Sequence, residues 1–167
     1  VVVWFGGHGD APNLEIYAQR FNAAGAPLGA PVTVNATTRG QQRRPAVAMA
    51  ADGSFVVAWD SDARSVWARR FAADGTPLTD EVAVGGVAAV NLDPDVAAAA
   101  DGSFVVAWQR GARVGSDAIA VAAFAADGAP GSPERALHAV DGDLLRLKPA
   151  VAALPDGSFA VVWEQID

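Results

Sequence analysis

At 167 residues, 51% of them hydrophobic, and with a net charge of −7, the chain is long enough to bury a real core and too apolar to be disordered. So acidic a balance argues against a nucleic-acid surface, which needs clustered Lys and Arg, and no apolar run approaches the roughly 18 residues that span a bilayer as a helix. Disulfides and thiolate metal sites are excluded by the absence of cysteine, and because the only methionine is Met49 we expect a processed or excised piece of a longer chain.

The chain opens on "VVVW", Val1 to Trp4, which aligns with "VVAW" at 56–59 and so starts inside a repeated unit. The full repeat is visible further on, where "PAVAMAADGSFVVAWDS" from Pro45, "PDVAAAADGSFVVAWQR" from Pro94 and "PAVAALPDGSFAVVWEQ" from Pro149 are near-copies. Trp4, Trp59, Trp108 and Trp163 are spaced by 55, 49 and 55 residues. Phe21, Phe71 and Phe124 fall between them, each four residues ahead of Gly25, Gly75 or Gly128. A period near 50 divides the chain into units at 1–55, 56–104 and 105–159, with a fourth begun at 160–167.

Each unit reads as four short strands. In the best-spelled copy, strand one is "PAVAMA" from Pro45 and strand two "SFVVAW" from Ser54; strand three is "VWARRFA" from Val66, and strand four lies around "EVAVG" from Glu81. Proline opens strand one, where its missing N–H is tolerated. The "ADG" between strands one and two supplies a glycine for the positive φ of a tight hairpin and an aspartate to bond the turn backbone. No window carries a 3.6-residue period with caps, because Gly, Asp or Pro interrupts the Ala-rich runs every 8 to 12 residues.

Strands one and two lack the alternation of a sheet with one wet face, so both faces must be covered. Stacking four-stranded antiparallel sheets about an axis does this, and a repeat of this length suits a propeller blade. The expected fold is therefore all-β, a propeller-type stack that the chain fills incompletely, with a β-solenoid or β-sandwich as the alternative. Trp59, Phe71, Trp108 and Phe124 are expected in the core.

The run "IYAQRFNAAGAPLGAPVTVNATTRGQQRRPAVAMAADGSFVVAW" resembles the "QRF…G…VN…T…Q…P.VA…DG.FVV.W" tandem repeats of large secreted or surface bacterial proteins, including repeats-in-toxin and adhesin-like proteins. The first unit carries the match through Gln19, Arg20, Phe21, Gly25, Val34, Asn35, Thr38, Gln41, Pro45, Asp52, Gly53, Phe55 and Trp59. The second unit lacks the "VNxxT" and glutamine positions, and the third has "HAVDGDLLRLKP" in their place. The resemblance implies a propeller in an exported protein, extracellular or at the cell surface, and supplies no catalytic residue to carry over.

In such a blade the one-to-two and three-to-four links share one rim, and these are short and uniform here. All variation falls on the other rim, in the links after the tryptophans and before the prolines, where binding residues are commonly carried. Candidate ligand-binding residues there are Arg43, Arg44, Asp93, Asp95, Arg146 and Lys148, a mixture suited to a carboxylate, a sugar or a partner loop. As exposed charges, Arg43, Arg44, Asp93 and Lys148 are expected to contribute little to stability. Asp93 and Asp95, flanking Pro94, could suggest the paired carboxylates of a glycosidase, but two acids straddling one proline are poor evidence for such a pair. Asp60 with Asp62 and Asp141 with Asp143 could offer oxygen ligands to calcium, although neither completes an EF-hand pattern. His8 and His138 stand on separate loops with no nucleophile elbow, so no triad or zinc site is expected. Asn35-Ala36-Thr37 fits a glycosylation acceptor or a turn.

No cofactor is expected, and no catalytic residue emerges. The sequence points to a non-catalytic repeat module, acting as a binding or adhesion platform or as a structural spacer. The alternative is part of an extracellular propeller-type hydrolase of glycosidase type, or its accessory domain. Expected partners are further copies of the repeat, in the same chain or another, and a glycan or surface protein.

Overall fold

The structure, a computed structural model, describes residues 1–7, 13–85, 90–111, 118–137, 145–154 and 156–166, with the backbone alone for Leu145 and Arg146. Within these residues the chain is all-β and antiparallel. Sheet one holds β1 (Val2–Gly6), β2 (Glu15–Gln19) and β3 (Val32–Thr33). Sheet two holds β4 (Gln42–Met49), β5 (Phe55–Ser61), β6 (Ser65–Phe71) and β7 (Val82–Ala83), in that order. Sheet three repeats it with β8 (Val90–Ala98), β9 (Phe104–Gly111), β10 (Ala118–Phe124) and β11 (Arg135–Ala136), and sheet four pairs β12 (Leu145–Ala153) with β13 (Phe159–Ile166). The four-strand reading of the repeat holds, and the stack does not close into a ring.

Successive sheets pack face to face, with β4 against β1, β8 against β5 and β12 against β9. The two faces of a sheet differ, and the difference repeats. Phe55, Val57, Trp59 and Phe71 point back at Ile16, Ala18 and Val34 of sheet one. Val56, Ala58, Val66 and Ala68 point forward and meet Phe104, Val106, Trp108 and Phe124 of sheet three. Each sheet thus has a leading face carrying tryptophan and phenylalanine and a trailing face of smaller residues. This is why "FVVAW" shows no alternation: in both β5 and β9 all five of these residues are buried, on whichever side they lie. Trp59 and Trp108 are 1% and 0% exposed, and Phe71 and Phe124 are 1% and 4% exposed, as expected. Phe55 stacks on Phe71 and Phe104 on Phe124, with ring centres 5.1 and 5.0 Å apart, across the strand two to strand three pairing.

The glycine-turn rim is built as expected. Gly53, Gly102 and Gly157 have φ of 82°, 83° and 84°, and Asp52, Asp101 and Asp156 each bond the amide and hydroxyl of the serine two residues on. This rim also ties the sheets together. Arg20 Nη1 donates to the Ala73 carbonyl at 2.7 Å, and Arg70, at the same repeat position one sheet on, donates to the Ala126 carbonyl at 2.9 Å and to Ser54 Oγ at 3.0 Å. A Cβ added to Gly53 would sit 3.1 Å from Ala73 Cβ, whereas one on Gly157 meets nothing within 4 Å. Gly53→Val is therefore expected to cost about 1–3 kcal/mol in urea denaturation, and Gly157→Val the backbone part of that alone.

Strand one begins earlier than its proline. β4, β8 and β12 start at Gln42, Val90 and Leu145, and each has a register shift just ahead of the proline, between Arg43 and Ala46, Leu92 and Asp95, and Leu147 and Ala150. The proline is tolerated inside the strand because it falls in this bulge, where the ladder is already broken.

Candidate functional site

The bulges place one residue of each unit in a conformation that side-chain-bearing residues seldom adopt. Arg44, Asp93 and Lys148 have φ of 48°, 45° and 47°. Left-handed backbone at a non-glycine residue costs about 1–3 kcal/mol and persists only where its surroundings hold it. The bulge supplies that constraint three times and re-aims the side chain ahead of each proline. Together with Pro45, Pro94, Pro149 and Asp95, these residues ring an open depression of about 560 Å³ on the variable rim. Of the six expected binding residues, the structure therefore brings Arg44, Asp93, Asp95 and Lys148 together. Arg43 lies beside them in a smaller chamber of about 160 Å³ with Gln41, Asp60 and Asp62. The side chain of Arg146 lies outside the described residues.

Several of these charges are not free. Arg44 Nη1 donates to Asp60 Oδ2 at 3.0 Å, and its Nε meets Asp93 Oδ1 of the next sheet at 2.8 Å. Asp93 Oδ2 accepts from Gln109 Nε2 at 2.7 Å, and Asp95 Oδ2 accepts from the Val151 amide of sheet four at 2.7 Å. Arg44, Asp93 and Asp95 thus clasp the first strands of sheets two, three and four to one another, and the expectation that Arg44 and Asp93 contribute little as exposed charges is corrected. Lys148 is 70% exposed and pairs with Glu164 at 3.3 Å, so it does fit that expectation.

Asp60 is the chemically unusual residue. It is fully buried, with Oδ1 lacking any hydrogen-bond partner, and the Nε of Arg43, opposite it in the β4–β5 register, lacks one too. Burial pushes the Asp60 carboxyl up to about 6, against the bond and charge of Arg44, with the charge of Asp93 adding to the rise and the Asp93 backbone amide opposing it. Burial by itself would lower Arg44, but its bond to Asp60 and the charges of Asp60 and Asp93 hold it above its ordinary value.

Asp62 has φ of 51° and accepts the Gln41 amide at 2.8 Å, which is turn chemistry. Among the described residues no three His, Asp or Glu side chains gather as a metal site; Asp141 and Asp143, like His8 and His138, lie outside those residues. Asn35 is buried, taking the Ile16 amide on Oδ1 at 2.7 Å and donating to Glu15 and to the Thr37 carbonyl, so its side chain is committed inside the fold. An apolar cleft of about 270 Å³ between sheets three and four, lined by Phe104, Phe124 and Phe159, lies on the glycine-turn rim. Its serines, Ser103 and Ser158, are committed to Asp101 and Asp156.

A repeated amide under the tryptophan was not seen in the sequence. Trp59 Nε1 donates to Gln42 Oε1 at 3.1 Å and Trp108 Nε1 to Asn91 Oδ1 at 2.9 Å, both buried. The amide nitrogens then bond the Arg39 and Arg64 carbonyls, fixing the links of the variable rim. The bond belongs to Gln42 rather than Gln41, and Asn91 holds the place of Gln42 in the second unit. The signal was the constant distance: Gln42 and Asn91 each lie 17 residues before their tryptophan, and Arg146 stands there in the third copy.

No protein-family model matches this chain, and no curated protein matches it. Among solved structures it is similar to one named for an exo-beta-1,3-galactanase from Bifidobacterium bifidum s17, at 14% identity and a TM-score of 0.46. The match covers 89% of this chain and 49% of that one, so the chain spans about half of its length. A likeness at that level carries no functional argument.

Proposed function

We propose that this chain is a non-catalytic, propeller-type repeat module of an exported bacterial protein, and that its variable rim is a binding platform for a glycan or a surface protein. One observation carries the reading. The same strained bulge presents a different charged residue in each of three sheets, around one depression, where Lys148 remains 70% exposed. Repetition of the backbone with variation of the side chain is what a scaffold for recognition requires. The resemblance of the repeat supports an extracellular or cell-surface setting. A hydrolase finds no support in the carboxylates at hand, because Asp93 and Asp95 are occupied by Arg44, Gln109 and the Val151 amide, and Asp60 is buried against Arg44.

Lys148 and Arg43 are the groups with capacity to spare. Against the glycan identified by screening the whole chain on an array, Lys148→Ala and Arg43→Ala are expected to weaken binding at least about tenfold. Lys148→Ala should leave the melting temperature within about 2 °C, since an exposed ion pair contributes little. Retained binding in both variants, with binding abolished instead by Ser132→Ala on the glycine-turn rim, would reverse the assignment of faces.

A further inference from the structure

The variable rim of sheet two holds a smaller recess beside the depression, walled by a donor and an acceptor that the fold leaves unanswered. This chamber of about 160 Å³ is lined by Gln41, Arg43, Arg44, Asp60, Asp62 and Ala63, and Arg44 also lines the depression, so the two adjoin. It belongs to the middle of the stack, where sheet two has neighbours on both sides. The Gln42 amide donates to the carbonyl of Leu14, just ahead of β2, at 2.9 Å, and the Asn91 amide of β8 to the Ala63 carbonyl at 3.4 Å. Arg43 and Asp60 stand opposite each other in the β4–β5 register, which puts their side chains on one face of the sheet. Neither Arg43 Nε nor Asp60 Oδ1 has a hydrogen-bond partner, although both atoms are buried. Such atoms are exceptions in folded proteins and call for a reason. Asp62, exposed at the edge of the chamber, gives Oδ1 to the Gln41 amide, which leaves its second oxygen for another donor.

The geometry points to a subsite for a neutral sugar that carries neighbouring hydroxyls. The inference rests on the rim being a recognition face, and it names what this part of the rim takes. A hydroxyl both donates and accepts, so one group satisfies Arg43 Nε and Asp60 Oδ1 together, and the next hydroxyl along the ring donates to Asp62 Oδ2. Charge argues against the other classes of ligand. Arg43 and Arg44 balance Asp60 and Asp62, two against two, so an anion meets carboxylates with no cation to spare and a cation meets two guanidiniums. One water takes about 30 Å³ of the liquid, so a chamber of about 160 Å³ suits the edge of a ring rather than a single solvent molecule. Asp60 is 0% exposed, and the ring therefore reaches it by displacing the half-buried side chain of Arg43, whose Nε then bonds the same hydroxyl.

The probes are glucose, galactose and mannose, titrated at millimolar concentration into the whole chain, with glucuronate, glucosamine, inorganic phosphate and calcium ion as charged controls. The readout is the Nε–H signal of Arg43 in proton–nitrogen NMR, identified by its loss in Arg43→Lys. At least one neutral hexose is expected to move that signal saturably. Arg43→Lys keeps the charge without the Nε donor, and Asp62→Asn keeps the left-handed turn without the second acceptor; each should weaken that hexose at least about tenfold in a chain whose other signals stay in place. A hexose that moves the signals around Lys148 and not Arg43 Nε–H would overturn the subsite while leaving the rim a binding platform. A response to the charged probes alone would overturn the ligand class, and silence from every hexose would overturn the inference outright. A hexose bound at Arg43, beside an array glycan held equally well by the Lys148→Ala and Arg43→Ala chains, would leave the subsite standing and remove the platform reading.

Discussion

Trp108→Ala is expected to destabilise the chain by about 3–5 kcal/mol, a loss typical of emptying a buried tryptophan site and a large share of the 5–15 kcal/mol that holds an ordinary domain together. The side chain is 0% exposed between sheets two and three, and its removal also leaves Asn91 Oδ1 without the indole donor. Trp4 holds the same place in the repeat but is 38% exposed, so Trp4→Ala should cost clearly less. Urea denaturation followed by circular dichroism compares the two directly. Equal losses would mean that burial does not follow the sheet order described above.

The second large effect lies in the clasp. Arg44→Ala removes the cation facing a fully buried carboxylate, and at pH 7.5 it is expected to cost about 2–3 kcal/mol. The sign of the pH dependence follows from Asp60. Its carboxyl stands near 6 in the fold against about 3.9 in an unfolded chain, so the folded state holds the proton more tightly. The stability this provides is complete below pH 4 and is lost as the pH rises through 6, a span worth about 3 kcal/mol. Arg44→Ala should therefore be far better tolerated at pH 5, where Asp60 can take up a proton, than at pH 7.5. Adding Asp60→Asn to it should restore much of the loss at pH 7.5, and Asp60→Asn alone should flatten the decline between pH 4 and 6. A penalty for Arg44→Ala that is the same at both pH values would show that Asp60 is not the group left stranded. Below pH 4 an opposite slope is expected, since Asp52, Asp101 and Asp156 are held below the usual carboxylate range by their serine bonds, and that support fades as they protonate.

Much of this architecture was legible because it repeats. Glycines after aspartate marked the hairpins, and the two-sided apolar strands required sheets on both sides. What the sequence concealed depends on neighbours that only the packing brings together. "RRP", "LDP" and "LKP" have no common side chain before the proline, so nothing announced that Arg44, Asp93 and Lys148 share one left-handed bulge. Asp60 follows a tryptophan in a stretch that reads as a polar turn, yet β5 continues through it and buries it beneath Arg44. Asp95 and Asp93 read as loose surface acids because their partners, Val151 and Arg44, belong to other sheets. Gln42 was hidden by Gln41 beside it, and only the distance to Trp59 distinguishes them.

The central claim is that every sheet turns its tryptophan face toward the sheet before it. Fluorine NMR of the chain labelled with 5-fluorotryptophan reads this at all five tryptophans at once. Solvent isotope shifts on exchange from H2O to D2O should be smallest for Trp59 and Trp108, intermediate for Trp67 and Trp163, and largest for Trp4. A shift at Trp108 or Trp59 as large as that at Trp4 would contradict the stacking order.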